Sequence, residues 1–209
     1  MSTPEGLRAG EAALDYPVCL RLAGRRVLVV GGGAVARGRV DGLRAAGARI
    51  DLIAPRVDDE LAALARAGAI TVIRRPWRPD DLVGATIVVV AIDDRAISAR
   101  IAAAARARGV PCTVADQPAL CDFTMPSVGR RGPITVAVST GGLAPALAAR
   151  LRRRLEAAIG DDDIAIAHGS AAVRRALPAG RHRMAVVRRL VGLATSFTGG
   201  VRRLAGGAG

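Results

Sequence analysis

A short apolar run that ends in three consecutive glycines is the feature that most restricts how this chain folds. The segment RRVLVVGGG places Val27–Val30 directly before Gly31, Gly32 and Gly33. An apolar run without alternation is typical of a parallel strand that is covered on both faces. The glycines that follow it predict a tight turn into a helix. The pattern therefore indicates a strand, a turn and a helix close to the start of the chain.

The same alternation of strand and helix patterns continues to about residue 116. Further strands are predicted in the segments ARIDLIAP, AITVIRR, ATIVVVAIDD and PCTVAD. The spacing of apolar residues predicts helices over residues 34–46, 57–67, 79–83 and 95–108. Strands that alternate with helices form a parallel sheet with helices on both faces. We therefore predict an α/β fold with a Rossmann-type, doubly wound sheet.

The pattern changes after residue 117. The segment QPALCDFTMPSVGRRGP is rich in proline and glycine and is expected to be irregular, whereas PITVAVSTGG predicts one more strand. An arginine-rich helix is expected over residues 144–158, and little regular amphipathic helix is expected beyond residue 160. These patterns divide the chain into a leader (1–17), a nucleotide-binding domain (18–117), a small α+β segment (118–159) and a helical or partly disordered tail (160–209).

The charge of the chain limits the classes of partner. The formal net charge is +13 and every basic residue apart from histidine is arginine, so the surface attracts polyanions such as nucleic acid, an anionic membrane surface or an acidic metabolite. The sequence lacks recognised nucleic-acid-binding motifs and aromatic stacking platforms, which favours an anionic small molecule over nucleic acid. Arginine also binds carboxylates through two hydrogen bonds.

The cysteines and the N-terminal segment bear on location. Cys19, Cys112 and Cys121 are odd in number and lack metal-ligand spacing, which favours a reducing compartment without disulfides or a zinc site. Cys112 and Cys121 are expected to be small core residues. The N-terminal segment does not resemble a signal peptide, and no apolar stretch is long enough to span a bilayer. We therefore expect a cytoplasmic protein without a membrane span.

The glycine turn carries the pattern G-x-G-x-x-A at Gly31, Gly33 and Ala36. Between a strand and a helix, the first glycine allows the tight turn, the second lets the backbone approach a pyrophosphate, and the small third residue lets helix and strand pack. Free N–H groups at the helix start would then hold the phosphates of NAD. The alternative is a turn that serves packing alone. The residues expected to contact NAD are Gly31, Gly32, Gly33, Ala34, Val35 and Ala36.

The acidic residue that usually ends the second strand of such a fold is absent. Asp51 lies early in that strand, and the strand end reads Ala54, Pro55, Arg56. A carboxylate at this point would bind the ribose hydroxyls of NAD, whereas Arg56 would either accept the 2′-phosphate of NADP or lie in solvent. The sequence therefore leaves NAD and NADP both open.

Three blocks of sequence together resemble a known family. They are YPVCLRLAGRRVLVVGGGAVARGRV, WRPDDLVGATIVVVAIDD and TVADQPALCDFTMPSVGRRGPITVAVSTGGLAPALAARLRRRLE. Their most specific parts are D-x-P at Asp116–Pro118, F-x-M-P-S at Phe123–Ser127 and V-x-V-S-T-G-G at Val136–Gly142. From about Tyr16 to Glu156, the chain closely resembles the N-terminal module of sirohaem synthases and the stand-alone precorrin-2 dehydrogenases.

This resemblance implies an NAD-dependent enzyme that oxidises precorrin-2 to sirohydrochlorin in sirohaem biosynthesis. It implies a homodimer in which residues 118–159 exchange strands between subunits, with the anionic tetrapyrrole bound between this segment and the NAD domain. Asp116 matches the catalytic aspartate of the family, and Pro55 and Arg56 match a strand end that contacts NAD. Some relatives also insert Fe²⁺ into the product at the same aspartate, so Asp116 is the metal contact if this protein is a chelatase. The resemblance leaves that second activity open.

The residues themselves are consistent with these roles but do not require them. Asp116 follows the fifth strand at the edge where open α/β sheets bind ligands, although Asp before Gln-Pro is also good turn chemistry. Asp93 and Asp94 end the fourth strand, where they either cap the next helix or, for Asp93, contact the cofactor. The candidates for hydrogen bonds to substrate carboxylates, which equally suit turns and helix caps, are Ser127, Thr140, Gly141 and Gly142.

A non-catalytic, NAD-sensing regulatory module is the alternative function. Such a module would need the glycine turn, but it would need neither Asp116 nor the F-x-M-P-S segment. The presence of both in this chain therefore favours the enzyme.

Overall fold

The chain forms two compact units in the computed structural model, which describes residues 15–192. The division falls between Met125 and Pro126, whereas the sequence patterns alone place the end of the nucleotide-binding domain at residue 117. Most of the predicted leader (1–14) and the last part of the predicted tail (193–209) lie outside the described residues.

The first unit is built on a sheet of five parallel strands in the order β3-β2-β1-β4-β5. These strands are β1 (Arg26–Val30), β2 (Arg49–Ile53), β3 (Thr71–Ile73), β4 (Ile87–Val90) and β5 (Cys112–Val114). They are connected by α1 (Ala34–Ala45), α2 (Asp59–Arg66), a 3-10 turn (Pro79–Leu82) and α3 (Arg95–Arg106). The strand order reverses between β1 and β4, which confirms the predicted doubly wound α/β fold.

Burial explains why the central strands are unbroken apolar runs. Each residue of Val27–Val30 is at most 4% exposed. Successive residues of β1 face opposite core layers, so that Val29 packs in the layer with α1 and α2, and Leu28 packs in the layer with α3 and the 3-10 turn. Because helices cover both faces of the sheet, the loops at the ends of the strands are left to form a ligand site.

The second unit is an antiparallel hairpin followed by helices. Its elements are β6 (Ser127–Arg131), β7 (Ile134–Val138), α4 (Pro145–Ala158), α5 (Asp161–Ala176) and a further helix whose described part is residues 181–192. A Cβ at Gly129 would lie 2.7 Å from the Arg152 and Glu156 side chains, so glycine lets α4 approach β6 closely. Within residues 15–192, no helix is both long and apolar enough to cross a membrane.

One sequence prediction for the second unit is wrong and another is confirmed. The segment expected to be irregular contains β6, because pairing with β7 supplies hydrogen bonds that the sequence SVGRR does not itself signal. Of the helical and the partly disordered alternatives for the tail, the helical one is confirmed in the described residues, since α5 is 16 residues long. Asp161–Asp163 begin this helix, and Arg174 and Arg175 end it, so charges of the favourable sign lie at both ends of its dipole.

A network of ion pairs and hydrogen bonds connects β1 and β2 to the segment between β3 and β4. Arg26, the first residue of β1, bonds Asp51 at 2.6 Å and donates to the Asp81 carbonyl oxygen at 2.9 Å. Arg75 donates two hydrogen bonds of 2.8 and 2.5 Å to the Asp81 carboxylate, and the Arg78 N–H donates a third of 2.7 Å. These bonds, above all those from Arg75, hold the pKa of the buried Asp81 carboxyl below its ordinary value.

Asp81→Asn is expected to lower the free energy of unfolding by about 2 kcal/mol at neutral pH, because it removes a charged hydrogen-bond acceptor from a buried site. A carboxyl with a lowered folded pKa stabilises the protein above its unfolded pKa of about 4, and that contribution is lost as the pH falls through the folded pKa. Denaturant titrations of both proteins at about pH 7 and about pH 3 should therefore show a smaller difference in acid. Asp80→Asn, at an exposed neighbour, is the control, and equal losses for the two variants would contradict this role of Asp81.

Candidate functional site

The turn after β1 packs against both neighbouring strand ends through two of its glycines. Gly31 has a φ of 126°, and a Cβ there would lie 2.1 Å from the Ala91 carbonyl oxygen. A Cβ at Gly32 would lie 2.1 Å from the Arg56 carbonyl oxygen. The Asp58 N–H also donates to the Gly32 carbonyl oxygen at 2.8 Å. Any side chain at these two positions would overlap the backbone of a neighbouring loop.

The start of α1 presents unpaired backbone donors. Gly33 precedes the helix, and a Cβ there would meet no atom within 4 Å. No side chain caps α1, and its first turn holds no acidic residue. Free N–H groups at the positive end of a helix, next to a residue without a side chain, fit the pyrophosphate of a dinucleotide. Of the other predicted contacts, Ala34 and Val35 are exposed and Ala36 is packed in the core.

The loop after β2 offers little to the ribose hydroxyls of a cofactor. Asp51 is held by the ion pair with β1 described above. The only carboxylate within the described residues 54–58 is that of Asp58, which accepts from the Leu61 N–H at 2.8 Å as the cap of α2. Pro55 and Arg56 are exposed. The first charged residue after β2 is therefore a cation.

The two aspartates after β4 have different environments. Asp94 caps α3, since its carboxylate accepts from the Ile97 N–H at 2.9 Å. Asp93 is exposed, and α3 begins two residues after it. The capping alternative thus applies to Asp94, while Asp93 stays a predicted cofactor contact.

Asp116 has a backbone conformation that is uncommon for a residue with a side chain. Its φ is 57°, and among residues 15–192 it is the one non-glycine residue with a positive φ. Such a conformation costs on the order of 1 kcal/mol and persists when the surrounding structure holds it. The residue is exposed and follows β5 directly after Ala115. An observed outlier of this kind at a strand end is a common property of functional sites.

The structure brings the candidates of the first unit to one edge of its sheet. The glycine turn, Arg56, Asp93 and Asp116 follow the carboxyl ends of β1, β2, β4 and β5. The contacts of the turn with Ala91 and Arg56 place it between β4 and β2, where the strand order reverses. Ligands of open α/β sheets bind at this edge and at this reversal.

The candidates of the second unit lie at one end of its hairpin. Ser127 pairs with Val138, and Thr140 follows two residues later. The Thr140 hydroxyl accepts a backbone N–H at 3.1 Å, which leaves its own hydrogen free to donate. Gly141 and Gly142 have φ values of 59° and 82°, so both form the turn that leads into α4. The predicted turn role is therefore present at Thr140, Gly141 and Gly142, whereas Ser127 lies in β6, and a role in binding substrate stays a prediction.

Comparison with known proteins assigns the family. An NAD(P)-binding family model matches residues 18–127, which is more than half of the chain. The chain belongs to this NAD(P)-binding family. A second model, described as the central part of a sirohaem biosynthesis protein, matches residues 131–158.

Relatives and a solved structure extend this likeness. The siroheme synthase of Pseudomonas entomophila is 46% identical over 145 residues, which are 69% of this chain and 31% of the relative. That of Gluconacetobacter diazotrophicus is 47% identical over 146 residues, which are 68% of this chain and 31% of the relative. The chain thus spans about a third of the length of these relatives. The structure of SirC, a precorrin-2 dehydrogenase, matches with a TM-score of 0.66 at 25% identity, over 85% of this chain and 89% of that chain.

Sequence reasoning missed the hydrogen bonds that Cys121 and Asp122 make to β5. Cys112 is buried in the core as expected, and burial raises the pKa of its thiol to about 12. Cys121 is only half-buried, and both it and Asp122 bond to the backbone of β5. These two residues belong to no helix or strand, so no periodic pattern signals their contacts.

Gly31→Ala is expected to lower the melting temperature strongly, because the added Cβ overlaps the Ala91 carbonyl oxygen and the φ is unfavourable for alanine. The free energy of unfolding should fall by about 3 kcal/mol or more. Gly33→Ala is the matched control, since its φ of −99° suits alanine and its Cβ would meet open space. Thermal unfolding followed by circular dichroism compares the two variants, and the same melting temperature for both would contradict the close packing of the turn.

Proposed function

We propose that this protein is an NAD-dependent dehydrogenase that oxidises precorrin-2 to sirohydrochlorin in sirohaem biosynthesis. The proposal is carried by the position of the glycine turn and Asp116 at one edge of the same sheet. It is supported by the similarity to siroheme synthases and to SirC. The reaction transfers a hydride from the tetrapyrrole to NAD⁺, forming NADH, and releases one proton.

The residues of the glycine turn fit the cofactor. The backbone of Gly31–Val35 would hold the pyrophosphate, because α1 begins there with no capping side chain and no acidic residue in its first turn. Pro55, Arg56 and Asp93 would flank the two ends of the cofactor, since they lie on the loops beside the turn. When bound, the nicotinamide ring supplies the redox chemistry by accepting the hydride.

Asp116 would accept the proton that leaves the substrate. Its exposed carboxylate lies on the loop that follows β5, at the edge where open α/β sheets bind ligands. General-base catalysis of this kind contributes about 100- to 10,000-fold to the rate. The protein would further increase the rate by orienting substrate and cofactor at this edge.

The second unit would bind the carboxylates of the substrate. Precorrin-2 carries eight carboxylates, and α4 exposes Arg150, Arg153 and Arg154. Arginine matches the geometry of a carboxylate with two parallel hydrogen bonds. The hydroxyl of Thr140, which keeps a free hydrogen, would add a neutral donor, as would Ser127 and the N–H groups of the glycine turn before α4.

A homodimer would explain the open edges of the hairpin. Among the described strands, β6 and β7 pair only with each other. An isolated hairpin of two strands is marginally stable in water, and unpaired strand edges readily accept another chain. Pairing with a second copy of the protein would therefore give hydrogen-bond partners to the unpaired backbone groups of both strands.

Insertion of Fe²⁺ would be a separate reaction with iron as a substrate. Across residues 15–192, no three or more histidine, cysteine or acidic side chains are grouped so that they could hold a metal ion. If the protein is also a chelatase, the resemblance to relatives that insert iron makes Asp116 the residue that would contact it.

We also propose a cytoplasmic location, which is supported by Cys19, Cys112 and Cys121 being free thiols.

Asp116→Asn is expected to lower kcat by about 100-fold or more, because it removes the proton acceptor. Asn tolerates the same backbone conformation, so NAD⁺ affinity should stay within about twofold. Absorbance of NADH and of sirohydrochlorin after addition of fresh precorrin-2 measures the reaction, with Asp80→Asn as the control. Folded wild-type protein that yields no NADH would overturn the proposed activity, and full activity of the variant would overturn the role of Asp116.

NADP⁺ is expected to bind within about tenfold of the affinity for NAD⁺, because no free carboxylate after β2 repels a 2′-phosphate. Arg56→Ala should weaken the binding of NADP⁺ by about tenfold and leave the affinity for NAD⁺ nearly unchanged. This change corresponds to the loss of one charged hydrogen bond. Calorimetric titration with each cofactor measures both affinities, and Arg66→Ala, at the exposed end of α2, is the control. An equal effect of Arg56→Ala on the two cofactors would refute this assignment.

A further inference from the structure

The outer edge of β5 is closed by side chains and not by another strand. β5 is the last strand of the sheet. The N–H of Ala115 bonds to β4, so the alternate groups, the N–H and C=O of Cys112 and Val114, face the outer edge. Backbone groups on an unpaired edge need other partners if they are buried.

Cys121 and Asp122 supply these partners, and we refer to the two residues as the edge clasp. The Asp122 carboxylate accepts from the Cys112 N–H at 3.0 Å, and the Asp122 N–H donates to the Cys112 carbonyl oxygen at 2.8 Å. The Cys121 sulfur accepts from the Val114 N–H at 3.2 Å and lies 3.3 Å from the Val114 carbonyl oxygen, to which its S–H donates. All four outward groups of the strand are thereby satisfied.

The edge clasp also closes the loop that carries Asp116. The Cys121 sulfur lies 3.4 Å from the Gln117 carbonyl oxygen, so a single thiol contacts residues on both sides of Asp116. Asp122 is itself held by the Arg106 side chain of α3 at 3.2 Å. The loop after β5 is therefore tied to the strand where it leaves and where it returns.

Asp116 needs restraint of this kind for two reasons. Its positive φ persists when neighbouring contacts fix the backbone. A displacement of about 1 Å at a reacting group is enough to lower a rate about 100-fold. The thiol suits the position because it accepts one hydrogen bond and donates another.

We propose that the edge clasp is a positioning element for Asp116, with Cys121 and Asp122 acting on the reaction through the loop and without touching the substrate. The inference rests on the proposed function, because it assumes that Asp116 takes part in proton transfer. The edge clasp would thus set the position of the Asp116 carboxylate through bonds at the edge of the sheet. The residues that make these bonds are remote from the glycine turn in sequence.

Three cysteine variants test the proposal. Cys121→Ala removes the hydrogen bonds of the thiol, Cys121→Ser keeps a donor and an acceptor, and Cys19→Ala removes an exposed thiol as the control. Cys121→Ala is expected to lower kcat by about tenfold or more while KM for NAD⁺ stays within about twofold. Cys121→Ser should recover most of the loss, and Cys19→Ala should match the wild type.

Amide hydrogen exchange gives a second readout that does not depend on activity. The Val114 N–H is expected to exchange at least about tenfold faster in Cys121→Ala than in wild type, since its acceptor is gone, and to stay protected in Cys121→Ser. Asp122→Ala, which opens the same edge from the other residue, should also lower kcat, and it replaces Cys121→Ala if that variant does not fold.

The outcomes separate this proposal from the function on which it rests. Wild-type protein that makes no NADH overturns the proposed function, full activity of Asp116→Asn overturns the role of Asp116, and either result overturns the edge clasp as well. Active wild type, an impaired Asp116→Asn and an unimpaired Cys121→Ala overturn the edge clasp alone. A general loss of melting temperature and NAD⁺ affinity in Cys121→Ala, without recovery in Cys121→Ser, would make the thiol merely structural and would also overturn it.

Discussion

The contact between the glycine turn and the Ala91 carbonyl oxygen is the constraint on which the ligand-binding edge depends. The turn lies so close to the backbone after β2 and β4 that a side chain at Gly31 or Gly32 would overlap it. Its path sets where α1 begins, and therefore where the unpaired N–H groups of that helix lie. The loops after β2 and β4 in turn pack against the glycines, so these two close approaches fix three of the five loops at this edge.

The groups at that edge are held in place by different physical means. The cofactor would be bound by backbone donors, whose direction is fixed by α1. The proposed proton acceptor, Asp116, is a single side chain on a residue with a positive φ, and the bonds of the edge clasp would set its position. Substrate carboxylates would meet arginine side chains of the second unit, where charge matters more than exact placement. A rigid scaffold at the reacting atoms and adaptable contacts away from them suit a large, flexible anion.

The sequence predicts the sheet and the glycine turn well because both depend on local signals. Val27–Val30 is apolar at every position, and only a strand covered on both faces explains that pattern. β6 was not predictable, because a segment with two arginines and a glycine becomes a strand only through its pairing with β7. The capping role of Asp94, as distinct from Asp93, depends on a single hydrogen bond that two adjacent aspartates do not reveal.

The candidate site shows the same division between local and non-local information. The roles of Gly31 and Gly33 follow from the spacing of glycines after a strand, and the structure gives each a distinct steric reason. The prediction for Asp116 rests on the resemblance and on its place at a strand end. Its positive φ and the restraint proposed for Cys121 involve contacts across the loop, which no pattern in the sequence encodes.

Closure of β5 by two side chains also protects the protein from uncontrolled association. An exposed edge strand is a template on which a foreign strand, or a partly unfolded copy, adds to the sheet and starts aggregation. Here the outward backbone groups are already bonded, and the opposite edge, β3, is only three residues long. The large sheet thus offers poor sites for strand addition at either side, whereas the two edges of the hairpin stay open to the second copy proposed above.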